Sequence, residues 1–450
     1  MSDPQDDRIV ELEHRLDGLE RGERQAAFDG LLTLWRSGGV AMPPERQAIN
    51  VHLHTFHSYN AYGYSPTRVA WLARQHGLAV AGIVDFDVLA GMDEFLAAAR
   101  ALDLRATVGM ETRVFIPEFA DCVITSPGEP GISYHMGIGF ATSELPDDLE
   151  RYRRNLQTVS QDRNRRLVER VNAYLQPVVL DYQRDLADQT PSGNVTERHI
   201  CDAYVRKAAE TFKAKEEVLQ FWAAKLSVPA EAPELGQENA LRSLVRSRTM
   251  KKGGVGYIEP DTGSFPKMEE FNRFAAGAGA MPALTWVDGI SEGEKRMEEL
   301  CRLAMRSGVT AINAIPDPRY TPHKGAEREK VRNLHDLVAL ARRLGLLIIS
   351  GTEMNIHGQK FADDFGDPDL RPVGDYLIFS AQVFYGHTVL QRQAGLGYLS
   401  DWTTQHLAAL DRRNEFYALI GRTIRPSCEA RLGPLTERVT PEEVIAAARG

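Results

Sequence analysis

Ile49-Asn-Val-His-Leu-His-Thr-Phe-His-Ser58 is the stretch whose reading decides this chain. Taken as an extended strand, it alternates: Ile49, Val51 and Leu53 on one face, Asn50, His52 and His54 on the other. One side buries aliphatics and the other presents two imidazoles. Histidines at i and i+2 bring both rings within reach of one ion. The same pattern also fits polar residues beside a loop, so further ligands must decide. His57, at i+3, falls on the opposite side.

Beyond this strand a rhythm sets in. Pro66 to His76 reads as a helix stopped by Gly77, followed by a buried strand from Ala79 to Val84 that ends at Asp85. A helix from Met92 to Leu102 leads into Ala106–Met110 and Glu111. The unit returns three times: Glu269–Ala276 into Pro282–Val287 and Asp288, Lys295–Arg306 into Thr310–Ile315 and Asp317, Val331–Leu344 into Leu346–Ser350 and Glu353. Helix, glycine, aliphatic strand, acid is the pattern of βα units around a parallel sheet. Such folds place their chemistry at the carboxyl ends of strands, where these acids stand.

The flanking and intervening segments differ. Residues 1–45 read as an N-terminal helical segment, an appendage or oligomerisation element. Residues 46–143 and 255–450 carry the two parts of the barrel, and 144–254 form a helical insertion with charged, solvated faces. Lys251-Lys-Gly-Gly-Val-Gly256 suits a hinge, or a backbone cradle for phosphate. Thr440-Pro-Glu-Glu443 reads as a helix start.

The 450 residues are 43% hydrophobic and 26% charged, with a net charge of -9 and no basic stripe, which argues against nucleic acid as a partner. Four scattered cysteines match no zinc-knuckle spacing and suit reduced thiols. No apolar run is long enough for a bilayer, and the acidic N-terminus lacks an export signal core. The expectation is a cytoplasmic protein with a small-molecule substrate, no nucleic-acid or membrane partner, and homo-oligomerisation as an option.

His52-Leu-His-Thr55, Ala81-Gly-Ile-Val-Asp-Phe-Asp87 with Gly91, and Val108-Gly-Met-Glu111 resemble, in order and spacing, the opening motifs of the PHP (polymerase and histidinol phosphatase) family, HxHT, TDHD…G and GxE. Tyr134-His135-Met-Gly137 is similar to the family's His before a Leu-Gly step. Thr196-Glu-Arg-His-Ile200 resembles the TRPHIA stretch of its helical insert, and Gly351-Thr-Glu-Met-Asn355 sits where the family writes GSDxH. The resemblance covers Ile49 to Gln359. It implies a distorted (β/α)7 TIM-like barrel holding up to three Zn, Mn or Fe ions for phosphoester hydrolysis.

Departures from the family pattern are informative. Phe86 stands where TDHD has a metal-binding His, Trp286 where a strand-end His is written, Glu353 for Asp, and Asn355 for the final His. Asn60 and Ala61 occupy the region of a missing Asp. The set left by the resemblance is His52, His54, Glu111 and Glu353, with His135 offering half of a second site. One or two divalent ions are expected.

Three readings follow. The first is a metal-dependent phosphoesterase, with Asp85 or Asp87 as base, Arg198 and His199 on the phosphate or leaving group, and Lys324 with His323 as weaker anion binders. The second is an isomerase, epimerase or lyase acting on a carbohydrate stacked on Phe86 and Trp286. The third is a metal-free binding protein. His357 and His387 have no assigned role.

Overall fold

The computed structural model describes residues 4–260 and 263–450. Met1–Asp3, part of the acidic N-terminal run, lie outside them. The chain divides into two compact units. The first comprises residues up to Thr55, Asn60–Tyr152 and Pro266–Gly450; the second comprises Phe56–Tyr59 and Arg153–Phe265.

Unit one is a mixed α/β, TIM-like barrel of seven strands in sequence order: β1 Ile49–Leu53, β2 Val80–Phe86, β3 Arg105–Phe115, β4 Ile132–Ile138, β5 Met281–Trp286, β6 Ala311–Ala314 and β7 Leu347–Ser350. The aliphatic runs that read as strands are strands, and β1, β5, β6 and β7 are buried along their whole length. β1–β2–β3 and β5–β6–β7 pair in parallel, but β4 runs antiparallel to both neighbours. The reversal distorts the barrel. A regular run of βα units does not anticipate it, because β3 reaches β4 without a crossover helix.

The ring is drawn together beyond the end of β7. Glu353 N–H donates to the His52 carbonyl at 2.9 Å, and His54 N–H donates to the Glu353 carbonyl at 2.8 Å. The closing residue therefore lies between the carbonyl of one His-x-His histidine and the amide of the other.

Helix boundaries follow their chemistry. Ser65 caps the helix Pro66–Gln75 by accepting the Arg68 N–H, with Pro66 at its first position. Gly345, at φ 73°, ends the helix Glu327–Leu344 in the left-handed conformation that glycine tolerates. Thr440 and Glu443 form a reciprocal capping box on the helix Pro441–Arg449.

The N-terminal helices Pro4–Arg15 and Arg21–Arg36 are not a loose appendage. Phe28 and Leu31 are buried, Phe28 packs edge-on against Trp71, and buried Arg24 donates through Nε to Glu94 at 2.9 Å. The apolar face of Arg21–Arg36 serves the barrel unit's own core.

The floor of the barrel is the helix Arg371–Ala394, which touches β1, β2, β3 and β7. Its residues Val383, Phe384, Val389 and Leu390 share one apolar cluster with Ile49, Val51, Val80, Met136, Ala283, Ala311 and Ile349. The helix packs against Leu410–Thr423 through two glycines. A Cβ on Gly421 would lie 1.9 Å from the Gln382 carbonyl, and one on Gly386 2.1 Å from that of Tyr417. His387, on the same helix, is wholly buried: its Nδ1 accepts the Tyr398 N–H at 2.9 Å, and its Nε2 faces the Gly139 carbonyl at 3.1 Å. Its role is to join this helix to the strand ends.

Unit two is helical, built from Arg153 onward on the long helix Asp147–Tyr174 and on Glu197–Thr211, Lys215–Leu226 and Glu238–Val245. Its core includes Val171, Ile200, Tyr204, Trp222 and Val245. The glycine-rich stretch after Lys251 makes a turn, with Gly254 N–H on the Lys251 carbonyl and Gly256 N–H on that of Thr249. Those two amides are not offered to a phosphate. Among the described residues, no helix is long and apolar enough to cross a membrane.

Two predictions test the floor. Gly421→Ala forces two helix backbones apart and is expected to cost about 2–3 kcal/mol, read as a fall in the thermal midpoint. Burial pushes the His387 imidazole down to about 4. The unfolded chain therefore takes up a proton near 6.5 that the folded chain refuses. Stability is expected to be complete above pH 6.5 and to decline as pH falls towards 4. The slope is expected to be shallower in His387→Gln, measured by urea unfolding at stepped pH.

Candidate metal centre

β1 does not keep the alternation its sequence suggests. Its register against β2 runs Ile49↔Val80 and Asn50↔Ala81, then slips so that Leu53 meets Ile83. Ile49 and Val51 join the apolar floor, while His52 and His54 both reach Glu111. Such an irregularity re-aims side chains at the rim of a sheet. Asn50 sustains it: Oδ1 accepts the His52 N–H at 3.2 Å, and Nδ2 donates to Thr352 Oγ1 and to the Phe361 carbonyl, each at 2.8 Å. Gly351 leaves the room, since a Cβ there would sit 2.4 Å from Asn50 Oδ1 and 2.6 Å from His52 Cβ.

Pairing across the sheet defines the inner face. Glu111 pairs with Met136, and Met136 with Ala283. Thr285 is two residues beyond Ala283 and pairs with Asn313. Glu111, Thr285 and Asn313 thus share one face. His52 joins it by contact, its Nδ1 lying 2.8 Å from Asn313 Oδ1.

Three donors converge on this face. Glu111 Oε2 lies 3.7 Å from His52 Nε2 and 3.6 Å from His54 Nε2. The ligand atoms of the three residues all fall within 4.8 Å of one another. Ligands about 2.0–2.1 Å from one tetrahedral ion stand roughly 3.4 Å apart, so these separations suit a shared ion better than hydrogen bonds. All three side chains are buried, and His52 Nε2 and Glu111 Oε2 have no hydrogen-bond partner among the described residues. Leaving such atoms unsatisfied is costly unless a cation takes them up.

The electrostatics agree. Burial pushes the Glu111 carboxyl up to about 7, against the pull of His52. Burial works most strongly to lower His52, but Glu111, Glu353 and Asn313 together hold the imidazole above its ordinary value. Both shifts express a demand for positive charge at one point. Asn313 sets the tautomer, because an N–H on Nδ1 donated to its Oδ1 leaves the Nε2 lone pair for a ligand role. Phe86, the inner-face partner of Glu111, stacks on His54 with centroids 5.1 Å apart and planes 12° from parallel. Asn60 Nδ2 donates to the His54 carbonyl at 2.9 Å.

The other expected site residues fall elsewhere. His135 pairs with Thr112 and Leu284, on the face opposite Glu111. Its Nε2 meets Asn272 Oδ1 at 2.6 Å and its ring abuts Phe271, so it cannot share an ion with Glu111. Trp286 follows Thr285 and takes the opposite face, so Thr285 is the inner-face residue at that strand end. Asp85 also faces outward, its carboxylate accepting the Thr55 N–H at 2.9 Å and the Thr55 hydroxyl at 2.7 Å. Asp87, at φ 58°, is linked to the centre: its N–H donates to the Glu111 carbonyl and its Oδ1 accepts from Thr112.

Glu353, at φ 59°, stands outside the trio, and its Oε2 accepts from Asn355 at 2.9 Å. It still acts on His52 and Glu111 through its charge. Lys324 donates to the Arg319 carbonyl, and His323 Nδ1 meets buried Asp288 at 2.9 Å. Arg198 and His199 belong to unit two, on the helix Glu197–Thr211. There His199 Nδ1 accepts the Thr196 N–H at 3.1 Å as part of the helix start. His57 also belongs to unit two, with its Nδ1 2.7 Å from Ser192 Oγ.

No protein-family model and no curated protein matches the chain. Among solved structures it is similar to an amidohydrolase from Chromobacterium violaceum with bound sulfate and no metal, at 18% identity and a TM-score of 0.51, covering 74% of this chain and 96% of that one. A protein from Bifidobacterium adolescentis, provisionally described as a metal-dependent phosphoesterase, matches at 18% identity and a TM-score of 0.49 over the same shares. At this identity the first likeness establishes the barrel architecture.

Asn313 and Thr285 are the site residues that sequence reasoning missed, and Asn50, read on the polar face with His52 and His54, proves to be their support. The signal was faint: one amide within Thr310–Ile315 and one hydroxyl within Pro282–Val287, both otherwise aliphatic strands. Removing the Asn313 contact with Asn313→Leu is expected to weaken divalent-metal affinity about 10–100-fold, measured by competition with a chromophoric chelator.

Proposed function

We propose that this chain is a metal-dependent hydrolase of the PHP type, a phosphoesterase acting on a small phosphorylated molecule. The observation that carries the proposal is the buried His52–His54–Glu111 trio, with its ion-like spacing and its unsatisfied His52 and Glu111 atoms. Two imidazoles and one carboxylate are a donor set for Zn, Mn or Fe that leaves a coordination position open. When bound, the ion would supply a lowered pKa for water and a Lewis-acid partner for a phosphoryl oxygen.

The chain's own residues do the rest. Asn313 and Phe86 hold the two imidazoles in orientation. The barrel strands bury the trio and limit access by bulk water. Asp87, buried and close enough to Glu111 to raise its pKa, is the proton-transfer group of this proposal in preference to outward-facing Asp85. The carbohydrate reading loses its platform: Phe86 has a ring face on His54, and Trp286 is on the opposite side of the sheet from the trio.

Protein purified without chelator is expected to carry at least one equivalent of Zn, Mn or Fe by elemental analysis, and to hydrolyse a generic aryl phosphate. His52→Ala and Glu111→Gln are expected to lose the metal and at least 100-fold in rate while remaining folded by circular dichroism. Wild type that stays metal-free after incubation with each ion would overturn the proposal.

A further inference from the structure

Two more buried atoms on the inner face lack a hydrogen-bond partner among the described residues: Thr285 Oγ1 and Asn313 Nδ2. Thr285 is 2% exposed and Asn313 fully buried. They are paired residues of adjacent strands, so the two groups stand side by side. Neither is one of the trio, yet Asn313 touches His52 directly.

The orientation of the Asn313 amide is set by its neighbour. With Oδ1 on His52 Nδ1, the imidazole proton is on Nδ1 and Nε2 is open as a ligand. The reversed amide would place that proton on Nε2 and close the ligand. Metal binding by His52 therefore requires Nδ2, with its two N–H groups, to point elsewhere. A buried amide and a buried hydroxyl without acceptors create a demand for an oxygen. The next inner-face positions down the same strands are Ala283 and Ala311, whose small side chains crowd neither donor.

We propose that Thr285 Oγ1 and Asn313 Nδ2 are paired hydrogen-bond donors that receive a phosphoryl oxygen of the substrate beside the metal centre. The inference rests on the metal-hydrolase reading and assigns two substrate-binding residues within it. Fixed donors in a buried site act on charge developing at the oxygen without having to reorganise. The simpler alternative is a structural water bridging the two groups.

The test uses the full chain loaded with Mn²⁺, with inorganic phosphate as the probe, titrated by isothermal calorimetry. Thr285→Val removes the hydroxyl at nearly constant shape. Asn313→Asp keeps an acceptor for His52 but removes the N–H donors. Thr285→Ser keeps the hydroxyl. Both donor-deleting variants are expected to hold Mn²⁺ at least as tightly as wild type and to bind phosphate at least tenfold more weakly, while Thr285→Ser stays within about threefold of wild type.

Wild-type phosphate affinity in both donor-deleting variants would overturn the proposal in favour of the water. Equal loss in Thr285→Ser, or a wild type that takes up Mn²⁺ but no phosphate, would overturn it as well. A wild type that binds no Mn²⁺, Zn²⁺ or Fe²⁺ would instead remove the metal reading on which the proposal stands. Thermal midpoints of the variants separate loss of binding from loss of folding.

Discussion

A carboxylate buried against two imidazoles, at distances too long for hydrogen bonds, is the interaction on which the rest of this site depends. In a low-dielectric interior these groups attract one another but lose their hydration, and burial still pushes the Glu111 carboxyl up. The barrel nevertheless keeps them in place: Asn50 at the slipped register of β1, Gly351 making room, Asn313 behind His52 and Phe86 against His54. Such convergence of support on buried polar groups, with His52 Nε2 and Glu111 Oε2 unsatisfied among the described residues, has a physical rationale when a cation completes the group.

The barrel is suited to this task because its inner face is apolar below and polar above. The floor helix and the inner aliphatics of β1, β2 and β4–β7 close one end, burying Ile49, Val51 and Met136 in one cluster. Above them the same face carries Glu111, Thr285 and Asn313. Closure through Glu353, whose backbone meets His52 and His54, makes the last piece of the ring also the frame of the ligands. Its positive φ is local strain of the kind found where surrounding structure over-determines a functional backbone.

Much of this was legible in the chain. Helix, glycine and aliphatic strand recur at spacings that only βα units explain, and the strands lie where those runs lie. His52, His54 and Glu111 were readable as a metal set and do stand together. Other expectations failed for a common reason. His135, Trp286 and Asp85 were assigned from their place along the chain, whereas their faces depend on strand direction and register. A one-residue change in parity moves a side chain from the interior to the outside. The reversed β4 carries such a change for His135, and the alternation along β5 leaves Trp286 on the side opposite Thr285.

By itself, then, the sequence determined the fold class and placed His52, His54 and Glu111 among five metal-ligand candidates, because periodicity, breakers and a His-x-His pair are local properties of a chain. Tertiary structure alone decided that β1 slips between Asn50 and Leu53, that Asn313 backs His52, and that Thr285 rather than Trp286 faces the centre. These are relations between strands far apart in sequence. They are set by how the ring closes and how side chains pack inside it, which no local pattern records.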